Sequence, residues 1–161
     1  MIPFDDEGDN TTGEECVKIY EDWFLHGDEN NWRRGVFHYG LLLYNASFPG
    51  FAFRNNAYQV SQKGMEKKAK QPLIGERDVV YASAYMHELG HTLDLNWLLG
   101  HADQGYDPTF LLWWLARPYR SVMNYGYMYG FIWNLVDYSD GSRGKNDFDA
   151  VSYTHLRAHE T

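Results

Sequence analysis

Residues Arg77–Leu95, RDVVYASAYMHELGHTLDL, decide how the rest of the chain is read. The stretch lacks proline and holds one glycine, Gly90, so it predicts a helix of roughly 16 residues with Asp78 as its N-cap. Val80, Ala84, His87 and His91 recur at helical spacing and share one face. Two histidines four residues apart present two imidazoles to a common point, where one metal ion can bind both. A glutamate directly after the first histidine stands beside the open coordination position of such an ion, placed to take a proton from a bound water. His87 and His91 are therefore the predicted zinc ligands and Glu88 the predicted general base.

The chain around this helix has 161 residues, 44% of them hydrophobic and 17% aromatic, which suits one packed domain. A net charge of −8 argues against a nucleic-acid partner, because phosphate binding needs basic surface. The single cysteine, Cys16, has no second thiol with which to form a disulfide or hold a metal. No apolar run reaches the roughly 18 residues of a membrane span, and MIPFDDEGDN has neither the basic start nor the apolar stretch of a signal peptide. A monomer is the default expectation.

Upstream, Val17–Leu25 reads as a short helix with Ile19, Trp23 and Phe24 turned inward. GVFHYGLLLYN, Gly35–Asn45, is rich in β-formers and reads as a buried strand in which His38 is a core histidine. FPGFAFRNNAYQV reads as a strand pair around an Asn-Asn turn, with Phe51 and Phe53 on one face. SQKGMEKKAKQP reads as a solvated basic loop. Downstream, DYSDGSRGKNDFDA reads as a polar loop. It is not an EF-hand, because counting from Asp137 the sixth position is Ser142 where that motif needs glycine.

SVMNYGY, Ser121–Tyr127, resembles the Met-turn of the metzincin zinc peptidases, and together with the helix motif it makes residues 28–150 similar to a prokaryotic group of that family. The resemblance implies an α+β fold, a twisted mostly parallel sheet with an active-site helix and a Met-turn. It implies peptide-bond hydrolysis of a protein or peptide bound in extended form along an edge strand, for which Gly50–Arg54 is the candidate. It also implies a secreted or cell-surface location. Carried over by position, Met123 lies beneath the metal and Tyr125 assists at the oxyanion; Arg117 and Arg120 are expected to anchor the Met-turn to a carboxylate. The last stretch, Val151–Thr161, resembles a translated sequencing adapter, so residues 1–150 are expected to be the catalytic domain, as a piece of a longer protein.

The chain departs from the family at two positions. Metzincins follow the second histidine with a glycine that turns the helix and then a third histidine. Here Asp94 and Trp97 stand at those places. Either the helix continues one turn toward Gly100, or the chain turns at Asp94, an aspartate tolerating left-handed backbone better than most residues. His101 is the expected third ligand and Asp103 the runner-up, with Asp94 a candidate to orient a ligand histidine. The alternative to a zinc endopeptidase is an inactive, zinc-stabilised peptide-binding module. Glu88 speaks against it, since a purely structural site has no use for a base. A fold in which the helix motif is coincidence would bind no metal at all.

Overall fold

The computed structural model describes residues 11–69, 77–95, 114, 117–128, 137–142 and 146–149. These form an α+β arrangement around a three-stranded sheet. Strands β1 (Tyr39–Leu43), β2 (Gly50–Phe53) and β3 (Ala57–Ser61) lie in the order β1-β3-β2. The sheet is mixed: β1 runs parallel to β3, with Tyr39 opposite Ala57, and β2 runs antiparallel to it, with Phe53 opposite Ala57. The strand pair expected around Asn55 is thus a hairpin. Its Arg54–Asn56 connection holds Arg54 and Asn55 at φ of 54° and 62°.

Every residue of β3 is buried, so the central strand separates two apolar clusters. On one face Tyr58 and Val60 meet Val80 and Ala84 of the long helix, together with Met65, Leu95, Tyr119, Val122 and Met123. On the other, Ala57, Leu41 and Phe53 pack on Cys16, Tyr20 and Leu25. Asn56 ties the second layer together, its amide donating to the carbonyls of Arg34 and Phe37 while its oxygen accepts from the Tyr20 hydroxyl at 2.7 Å.

That second layer begins with α1 (Gly13–Ile19), which starts where it does because Thr12 and Glu15 form a reciprocal capping box. A single π-turn, Tyr20–Phe24, follows and is closed by Leu25 N–H donating to the Tyr20 carbonyl. The extra residue in that turn rotates the helix face, so Tyr20 and Leu25 are buried and Trp23 is 45% exposed. The expectation that Trp23 points inward is corrected accordingly; Ile19 and Phe24 do pack on the cluster. The predicted buried strand is shorter than expected and only Leu41 of β1 is buried, because β1 lies at the outer edge of the sheet. The basic stretch read as a loop contains the helix α2 (Gln62–Ala69), docked by Met65, which is fully buried.

The decisive helix, α3, spans Arg77–Thr92, and Asp78 lies in its first turn rather than at its cap. It stops through a paired hydrogen-bond closure: Leu95 N–H reaches the Gly90 carbonyl at 3.0 Å and Asp94 N–H the His91 carbonyl at 3.2 Å. Asp94 sits between them at φ 60°, the left-handed position that a glycine ordinarily fills, and Leu95 is fully buried beyond it. Of the two routes left open by the sequence, the chain therefore turns at Asp94 and the helix does not continue toward Gly100. A short α4 (Tyr125–Met128) follows the loop around Met123. Among the described residues, no helix is long and apolar enough to cross a membrane.

Candidate metal centre

The last two turns of α3 bring His87 and His91 together as their spacing predicts. Their Nε2 atoms lie 3.0 Å apart and their ring planes are perpendicular. Two nitrogens bound tetrahedrally to one zinc at the usual Zn–N length stand about 3.3 Å apart, so the pair needs only a slight adjustment to share an ion. His87 is fully buried and its Nδ1 lies 2.9 Å from the Val122 carbonyl. A carbonyl only accepts, so Nδ1 carries the proton and Nε2 keeps its lone pair for the shared point.

Val122, Met123 and Tyr125 come up against this pair. A side chain at Gly90 would meet Met123 Sδ at 2.3 Å, so the missing side chain lets the buried thioether lie against the helix between the two histidine turns. Tyr125 stacks on the His87 ring with centroids 4.8 Å apart, and Tyr138 donates its hydroxyl hydrogen to the Met86 carbonyl at 2.7 Å.

A buried carboxylate that the sequence reading passed over holds this loop. Asp147 is fully buried and accepts from the Tyr119 hydroxyl at 2.6 Å, the Ser121 hydroxyl at 2.6 Å and the Ser139 amide at 2.8 Å. Ser121 Oγ in turn accepts from Met123 N–H at 3.0 Å. This loop is anchored to Asp147 through Tyr119 and Ser121, while Arg117 and Arg120 are exposed and Arg117 lies over the Trp114 ring. The signal available was the alternation of Tyr119 and Ser121 with the arginines, and it names no partner in a loop with four candidate aspartates.

Glu88 projects from α3 toward β2. A side chain added at Gly50 would come within 2.2 Å of its Oε1, so the carboxyl lies directly against the strand backbone. It is 7% exposed, and burial pushes its pKa up to about 8. A divalent cation on the histidines would act against that rise by favouring the charged form. Glu88, His91, Thr92 and Tyr125 form one side of a groove of about 530 Å³ whose other side is Gly50–Asn55, placing the expected edge strand alongside the histidine pair. Thr92 gives its hydroxyl hydrogen to the Leu89 carbonyl at 2.7 Å and lies 2.7 Å from His38 Nδ1. His38 is thus an exposed residue bracing the end of α3 rather than a core histidine.

His101, Asp103 and Trp97 lie outside the described residues, as does the stretch 151–161. Among the described residues, no group of three or more His, Cys, Asp or Glu side chains is arranged to hold a metal ion. Compared with known proteins, the chain matches no family model, no curated protein and no solved structure.

Proposed function

We propose that the chain is a zinc-dependent endopeptidase of metzincin type. The observation that supports this most is the convergence of the His87 and His91 nitrogens beside a groove that runs between Glu88 and the edge strand β2. His87 and His91 would hold a zinc ion, which would supply a water of lowered pKa and polarise the scissile carbonyl. Glu88 is placed as the base that would take a proton from the attacking water and pass it to the leaving amine. The main chain of β2 aligns the peptide as an added strand, and Tyr125 stands on the groove wall where its hydroxyl can serve the developing oxyanion. Met123 supports the His87 turn from below, and His101 or Asp103 completes the ligand set. In this reading the protein is secreted or held at the cell surface.

The test is zinc content and casein hydrolysis of the full chain beside Glu88→Gln. About one zinc per chain in both proteins, with hydrolysis only in the parent, is the expected result. Equal hydrolysis by the variant would sink the mechanism, and absence of zinc from the parent would sink the metal centre.

A further inference from the structure

The groove beside the histidines runs along β2, whose two faces differ in character. Gly50 faces Glu88, whereas Phe51 and Phe53 project from the opposite side and stack with centroids 5.9 Å apart. There they form a second groove of about 710 Å³ with Thr12, which caps α1, and with Gly13, Glu14 and Val17 of that helix. Both grooves are lined by Phe51 and Phe53, so they adjoin along β2. Phe51 remains 39% exposed although its ring lies against Gly13.

An extended peptide added along β2 sends its side chains alternately to the two faces. A residue next to one that faces Glu88 and His91 must therefore present its side chain to the Phe51–Phe53 side. The chemistry of that side is an aromatic floor with a carboxylate at the rim. Glu15 is occupied by Thr12, which donates to it from both backbone and hydroxyl, and Glu21 is paired with Arg54. Glu14 is exposed and makes no ion pair among the described residues. A long side chain with an apolar stem and a cationic end matches this arrangement, its methylenes over the phenyl rings and its charge at Glu14.

We propose that the outer face of β2 is a specificity subsite for a lysine or arginine of the substrate, one residue removed from a position that faces the metal centre. The inference rests on the peptidase reading for its strand-like occupant, but its test does not depend on turnover. The probe is a set of fluorescein-labelled, otherwise alanine–serine octapeptides carrying one central lysine, norleucine or glutamate. Binding is measured by anisotropy to the full chain bearing Glu88→Gln, with and without the further changes Glu14→Lys and Phe51→Ala. An exposed charge contact supports a preference for lysine over glutamate of about threefold. Glu14→Lys should invert that order, and Phe51→Ala should weaken lysine and norleucine together.

A lysine-to-glutamate ratio unmoved by Glu14→Lys overturns the subsite, as does failure of every peptide to bind. Norleucine equal to lysine, with no response to Glu14→Lys, overturns the cationic preference. Casein hydrolysis by the unmodified chain is scored separately. Charge-dependent binding without hydrolysis keeps the subsite and removes the peptidase reading, whereas hydrolysis with charge-blind binding does the reverse.

Discussion

Replacing Asp147 tests whether the carboxylate beneath the loop of residues 121–125 holds this part of the fold. In Asp147→Ala, the Tyr119 hydroxyl, the Ser121 hydroxyl and the Ser139 amide all lose an ionised acceptor, and all three residues are buried. Hydrogen bonds to charged groups are worth about 1.5–3 kcal/mol each, but removing a buried charge recovers its desolvation cost, so a net loss of about 3–5 kcal/mol is expected. Asp147→Asn is milder. Its oxygen can still accept from Ser121 and Ser139, while its amide donates to a reoriented Tyr119 hydroxyl, leaving a loss of about 1–2 kcal/mol. Urea unfolding followed by tryptophan fluorescence gives both values. Because Ser121 also receives the Met123 amide and Val122 orients His87, zinc affinity should fall about tenfold in the alanine variant. An alanine variant within about 1 kcal/mol of the parent would refute the account of the anchor. A destabilised variant with unchanged zinc affinity would refute the link from anchor to histidine.

Three further outcomes are expected. Asp94→Gly should be more stable than Asp94→Ala by about 1 kcal/mol in thermal unfolding, since both remove the side chain but only glycine fits φ 60° without strain; equal stabilities would contradict the helix-end geometry. Gly50→Ala should lower casein hydrolysis about a hundredfold while zinc stays bound, because the new methyl displaces Glu88; unchanged hydrolysis would remove Glu88 from its place against the strand. Cys16 is 1% exposed and burial pushes its thiol up to about 11, so the folded state favours the protonated form. Its contribution to stability is complete below the unfolded thiol pKa of about 8.5 and is lost as pH rises toward 11, and labelling by a disulfide reagent at pH 8 should await denaturation.

The parts of the fold that were legible in the sequence are those governed by one local rule. Helix α3 is a run of helix-compatible residues with an apolar face, and its two histidines converge because spacing alone puts them there. The hairpin follows from aromatic strands around Asn55. The misread parts depend on contacts remote in sequence. Whether Trp23 points in or out turns on one extra residue in the Tyr20–Phe24 turn, which no local pattern announces. The lysine-rich α2 has too little apolar content to be read as a helix, and Met65 docks it only because the far face of β3 is there to receive it. Asp147 is written among other aspartates, and nothing short of the fold distinguishes the one that meets Tyr119 and Ser121.

The contact between Gly90 and Met123 bears on how a chain of this kind can diverge. The thioether fills the volume that any side chain at position 90 would need, and Tyr138 closes the same space from another side, its Cε1 3.2 Å from where a β-carbon would stand. The two positions are therefore coupled: a methyl group at 90 must push the Met123 thioether aside or meet a smaller residue there, and a smaller residue at 123 by itself opens a void beneath the histidines. Each single change carries a cost that the paired change lowers. Substitutions in the helix motif and in the Met123 loop are thereby linked despite their separation along the chain.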